Sequence, residues 1–86
     1  MANDSILPAK KIEARHFRMA RAGVNVSIRE LAQLTGMNKA TIVRLEAGLN
    51  VRDSSIQAVR EALEAKGVFF GKSKALNKIV ICVDND

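Results

Sequence analysis

The side chains best equipped for chemistry in this sequence are cations. Residues 1–52 carry nine of them, Lys10, Lys11, Arg15, Arg18, Arg21, Arg29, Lys39, Arg44 and Arg52, against four acids, Asp4, Glu13, Glu30 and Glu46. Residues 53–86 carry five of each sign, so the formal net charge of +5 belongs entirely to the first half. A basic half on a small chain favours polyanionic partners, nucleic acid above all. The plain alternative is a solvated basic face with no partner. Other chemistries are poorly supplied. His16 is the single histidine, with no Asp, Ser or Cys spaced to complete a triad, and it reads as structural. One cysteine, Cys82, excludes an intrachain disulfide and a Cys-rich metal site. No phosphate loop or nucleophile–base pair appears, so the reading is a non-enzyme without metal or cofactor. Trp and Tyr are absent and Phe occurs three times, which argues against modules that grip single strands by base stacking.

The elements that must position these cations follow from the pattern. Eighty-six residues, 48% hydrophobic and 27% charged, specify one small folded domain. A chain of this size buries only about 60% of its unfolded surface, so a second chain is expected to help complete the core. Residues 1–7 read as a leader, and Pro8 suits the first turn of a helix. A helix is expected from Ala9 to about Ala22, with Ile12, Phe17, Met19 and Ala20 as its stripe and Gly23 as its C-cap. Ser27-Ile28-Arg29-Glu30 is a capping box opening a second helix. Its buried face is Ile28, Leu31, Ala32 and Leu34, and it stops at Thr35-Gly36. Asn38 caps a third helix running to Ala47 before Gly48. Met19 and Met37 read as core filler. Asp53 or Ser54 caps a fourth helix that buries Ile56, Val59, Ala62 and Leu63 and ends at Gly67. Then the character changes. Val68–Phe70 is a short strand candidate, residues 71–77 a loop, and Lys78–Val83 the clearest strand, dense in β-branched residues. Cys82 within it reads as a small buried hydrophobe, and residues 84–86 as a frayed acidic end. No apolar run is long enough to span a membrane and no signal-peptide pattern opens the chain, so the expected location is the cytoplasm, nucleoid-associated, in a bacterial or phage-encoded setting.

Helix two, a short turn and helix three have helix-turn-helix spacing. Ala32 is small where the two helices cross, so their backbones can approach. Gly36 supplies the positive φ of the turn. Ile42 and Leu45, three apart, point at one core. The opposite face of helix three, with Lys39, Ala40, part of Val43 and Arg44, is left to solvent. A helix presented in this way suits the major groove of B-DNA.

Residues 17–67, about 60% of the chain, resemble the Cro/C1-type (XRE-like) helix-turn-helix family. The residues that carry the likeness are Ser27-Ile28-Arg29-Glu30-Leu31-Ala32, Thr35-Gly36-Met37-Asn38, Ala40-Thr41-Ile42, Arg44-Leu45-Glu46-Ala47-Gly48 and Ala58-Val59-Arg60-Glu61-Ala62-Leu63. The resemblance implies a mainly α, four- to five-helix, phage-repressor-like bundle over residues 8–67, with a C-terminal β extension over 68–86. It implies that residues 38–47 form the recognition helix and that Lys39, Ala40 and Arg44 touch base edges. Lys39 and Arg44 can donate to guanine O6 and N7, and the Ala40 methyl can pack on a thymine methyl. Thr41 falls on a position that contacts phosphate or base. Asn38, Ser27, Arg29, Arg18 and Arg52 are the expected phosphate contacts, with Lys10, Lys11 and Arg15 as further backbone clamps. Arg21 and Glu46 match a structural ion pair that ties helix one to the end of helix three. The chain departs from the family at Ile28, where many members carry a phosphate-binding Gln. That clamp is lost or moved, with Arg29 the adjacent cation.

An exposed Ile-Val-Ile-Cys-Val edge is an aggregation hazard unless it is paired. A homodimer through the C-terminal strands is therefore expected, and two recognition helices related by a two-fold axis could read half-sites about 34 Å apart. The expected function is a dimeric regulator of a palindromic operator, most simply a repressor. The alternatives are an antitoxin that autoregulates its promoter and binds a toxin, and a protein-interaction module with no role for DNA.

Overall fold

The computed structural model describes residues 6–84. The described residues form four helices and a three-stranded antiparallel sheet. In chain order these are β1 (Ile6–Pro8), α1 (Ala14–Gly23), α2 (Ile28–Thr35), α3 (Lys39–Glu46), α4 (Asp53–Ala65), β2 (Val68–Ser73) and β3 (Lys78–Val83). None of the helices is long and apolar enough to cross a membrane.

The local signals for α2 and α3 are realised atom by atom. The Ser27 hydroxyl accepts from the Glu30 N–H at 3.0 Å, and the Glu30 carboxylate accepts from the Ser27 N–H at 3.3 Å. These two bonds satisfy donors that the first helical turn leaves without partners. Gly36 takes φ +71°, a left-handed conformation that costs glycine little and other residues about 1–2 kcal/mol. Asn38 Oδ1 accepts from the Thr41 N–H at 3.0 Å and starts α3.

The core is aliphatic apart from two rings. Phe17, Ala20, Val26, Leu31, Ala32, Ile42, Leu45, Val59 and Leu63 from the helical part meet Val68 and Phe70 of β2. Phe17 and Phe70 pack tilted at 58° with centroids 5.6 Å apart. The Arg60 guanidinium lies 5.5 Å from the centre of the Phe70 ring and also pairs with Glu64 at 3.0 Å. The sheet is thus laid on the helices rather than attached as a separate tail.

Several expectations require correction. Residues 6–8 are a strand, not the end of a leader and the start of a helix; residues 1–5 of the expected leader lie outside the described residues. Ile6 pairs with Ser73, Leu7 with Lys72 and Pro8 with Gly71. Proline is tolerated there because β1 is an edge strand. The Ala9 N–H then donates to the Phe70 carbonyl at 2.9 Å, which continues the extended path and delays α1 to Ala14. His16 Nδ1 accepts from the Glu13 N–H at 3.0 Å, giving this buried side chain a structural role at the helix start. At the other end Gly23 is still helical, and Asn25 takes the left-handed conformation at φ +60°. Met19 and Leu34, expected in the core, are about half exposed at 54% and 49%. Asp53 is the first residue of α4 rather than its cap, a position held by Arg52. The first strand of the hairpin runs to Ser73 instead of stopping at Phe70, so the loop contracts to residues 74–77. Gly71 makes this extension fit: a Cβ there would lie 2.7 Å from Phe69 Cε2, 2.9 Å from Ile6 Cγ2 and 3.1 Å from Val80 Cγ2. Cys82 is half-buried rather than buried.

Candidate nucleic-acid interface

The candidate surface is built from α3 outward. Ile42 and Leu45 anchor one side of the helix in the core, and Glu46 is buried beside them. Lys39, Ala40, Val43 and Arg44 are exposed on the other side. One face of the helix is therefore fixed by burial while its solvent face keeps two cations.

The C-terminal end of α3 is held from α1. The Arg21 guanidinium grips the Glu46 carboxylate with two N–H donors, Nε to Oε2 at 2.7 Å and Nη2 to Oε1 at 3.0 Å. Its Nη1 donates to the Val26 carbonyl at 3.2 Å. Hydrogen bonding to Glu46 raises the Arg21 pKa above its ordinary value; burial opposes this, and the carboxylate's charge adds to the rise. The Arg21–Glu46 pair is thus present in the structural geometry the sequence suggested. Arg18, expected on phosphate, donates through Nη1 to the Glu46 carbonyl. It satisfies a free carbonyl at the end of α3, where a cation also complements the helix dipole.

At the N-terminal end, Asn38 Oδ1 serves two donors, the Thr41 N–H at 3.0 Å and the Thr41 hydroxyl at 3.1 Å. Both residues are engaged in forming the helix start. Arg44 is exposed and donates through Nη2 to the Asn50 carbonyl at 2.9 Å. A guanidinium has five N–H groups, so this bond steadies the side chain and leaves donors for another acceptor. Asn38, Thr41, Arg44, Asn50, Arg52 and Ser55 line a polar groove of about 450 Å³ between the turn before α3 and the start of α4. Arg52, expected on phosphate, lines this groove together with residues of α3. Asn50 and Ser55 join it too, from a loop and a helix start whose sequence carries no motif.

The remaining candidates separate. Ser27 is spent on the α2 cap, though its position is exposed. Ile28 packs against the core, and Arg29 beside it is exposed. Arg15 pairs with Glu13 at 3.2 Å on the surface. Lys10 and Lys11 do not join α3. They gather with Lys72 and Lys74 round a cavity of about 330 Å³ floored by Leu7, Pro8 and Ile79. No signal in the sequence brings those four lysines together, because the β1–β2 pairing does it.

No protein-family model matches the chain, and no curated protein is significantly similar to it.

Proposed function

We propose that the chain binds double-stranded DNA sequence-specifically, as a transcriptional regulator of the Cro/C1-type helix-turn-helix kind. It acts as a homodimer on a palindromic operator and represses by occupying it. The observation that carries the reading is the two-sided α3. Its inner face is locked by Ile42, Leu45 and the Arg21–Glu46 pair, while Lys39, Ala40 and Arg44 stand on the outer face. An α-helix with its side chains is about 10–12 Å across, and the B-DNA major groove, about 12 Å wide, admits such a rod. In that groove Arg44 presents paired donors to guanine O6 and N7, Lys39 a single charged donor, and Ala40 a methyl to thymine. Asn38, Thr41, Arg29 and Arg52 lie toward the flanking phosphates. Arg18 serves the scaffold in the free protein and reaches phosphate only by leaving the Glu46 carbonyl.

The test is selection of duplexes from a random pool, followed by affinity measurements across salt concentrations. Binding should weaken with a log–log slope near −0.9 per phosphate neutralised. Arg44→Ala should weaken the selected site by roughly 1–3 kcal/mol and random DNA far less. Failure to enrich any sequence, with no salt dependence, would exclude the reading.

A further inference from the structure

We propose that β3 is the seam of the dimer: it pairs antiparallel with a second copy of itself about a two-fold axis at Ile81, setting Lys78 opposite Asp84 of the partner subunit. The inference rests on the dimer named above and is independent of its DNA contacts.

The sheet has two open edges, and they are unlike. β1 is three residues long and ends on Pro8, which has no N–H to offer. A short strand ending in proline is a blunted edge. β3 is six residues long, without proline or glycine, and carries no charge between Lys78 and Asp84. An edge of that kind invites another strand.

The backbone fixes which residues could accept it. Val68 pairs with Val83, and just beyond them the Asp84 N–H donates to the Gly67 carbonyl at 3.1 Å. Gly67 and Asp84 therefore occupy a hydrogen-bonded position, and such positions alternate along an antiparallel ladder. Cys82, Val80 and Lys78 direct their backbone groups to β2. Ile79, Ile81 and Val83 direct theirs outward, and among the described residues no protein group bonds to them from that side. A second β3 must bring its own outward residues opposite these, so the axis passes through a residue, with Val80, Ile81 and Cys82 the central choices.

Charge selects among the three. With the axis at Ile81, Ile79 meets Val83, Val80 meets Cys82 and Lys78 meets Asp84, so the strand is paired over its full length with an ion pair at each end. With the axis at Val80, Lys78 faces Cys82. With the axis at Cys82, Asp84 faces Val80. Opposite charges across an antiparallel pair attract, and a charge facing an apolar residue gains nothing. The resulting sheet is continuous through six strands, and the apolar face formed by Phe69, Val80 and Cys82 runs across the seam.

Oxidation of three full-length proteins, read on a non-reducing gel, tests the register. In the Ile81 arrangement Val80 and Cys82 of the partner subunit form a non-hydrogen-bonded pair, with Cα atoms about 4.5 Å apart, within disulfide reach. V80C should therefore form a covalent dimer, while wild type and V80C/C82S should not. Cross-linking of wild type would place the axis at Cys82, and cross-linking of V80C/C82S would place it at Val80; either overturns the proposal. A sedimentation profile showing a dimer, with no cross-link in any of the three, overturns the seam alone. A monomer overturns both the seam and the dimer, and leaves the DNA contacts to their own test. Independently, K78D and D84K should each raise the dimer dissociation constant on the order of tenfold, and K78D/D84K should restore it. No restoration would refute the pairing of Lys78 with Asp84.

Discussion

Replacing Arg21 with alanine is expected to unfasten α3 from α1. The Glu46 side chain is only 7% exposed, and its carboxylate receives two guanidinium donors. The same guanidinium supplies the Val26 carbonyl. Arg21→Ala removes all three bonds and leaves a nearly buried carboxylate unpaired. Breaking one side of a fully buried pair costs about 3–5 kcal/mol. The Arg21 side chain is 23% exposed, so water recovers part of this, and about 2–3 kcal/mol is expected. Glu46→Gln, which keeps an acceptor and removes the charge, should cost about 1–2 kcal/mol. The double replacement Arg21→Met with Glu46→Leu should recover most of the Arg21→Ala loss, because no charge is stranded. Urea denaturation followed by far-ultraviolet circular dichroism measures each value, with an unchanged slope certifying that the same surface unfolds. The raised pKa of Arg21 sets the sign of the pH effect. Its contribution is complete below the unfolded-state value and disappears only as pH climbs through the still higher folded value. The Arg21→Ala deficit should thus stay level from about pH 6 to about pH 10. A deficit below about 0.5 kcal/mol, the scale of ordinary surface changes, would mean that the pair does not hold α3 to α1.

The remaining predictions concern caps, packing and exposure. Asn38→Ala removes the acceptor for both Thr41 donors and should destabilise the protein by about 0.5–2 kcal/mol, measured by thermal denaturation. Gly71→Ala places a methyl against Phe69, Ile6 and Val80, and should cost about 1–3 kcal/mol. Hydrogen exchange at the Ala9 amide, which is bonded to the Phe70 carbonyl, should accelerate in that variant if the β1 edge loosens. Phe70→Ala, in contact with Phe17 and Arg60, should cost about 3–5 kcal/mol, whereas Leu34→Ala at the half-exposed surface of α2 should stay within about 1 kcal/mol of wild type.

What could be read from sequence was what is decided within one or two turns of chain. Ser27 with Glu30, Asn38 before Thr41, and glycine at position 36 each act on neighbours three residues away or fewer, and each sits where it was expected. The Arg21–Glu46 pair was legible only through family resemblance, since no local rule links residues 25 apart. What escaped depends on partners distant in sequence. Pro8 carries the same local preference for a helix start as for an edge strand, and pairing with Gly71 decides between them. Gly71 looks like a loop residue until Phe69, Ile6 and Val80 are seen to close over it. Met19 and Leu34 satisfy a helical stripe by spacing, yet the core is small enough to leave them outside. In the candidate interface, the exposed face of α3 followed from the anchoring of Ile42 and Leu45, whereas the Arg44 bond to Asn50 and the turning of Arg18 to the Glu46 carbonyl depend on how the chain folds back.

In the proposed complex α3, and not another basic surface, meets DNA. Titration of the isotopically labelled protein with its selected duplex, followed by amide and guanidinium NMR signals, tests this most directly. The largest changes are expected from Gly36 to Arg44 and at Arg52, with the Arg44 guanidinium signal shifting as it leaves the Asn50 carbonyl. Changes concentrated at Lys10, Lys11, Lys72 and Lys74, with α3 undisturbed at saturation, would contradict that placement of the DNA.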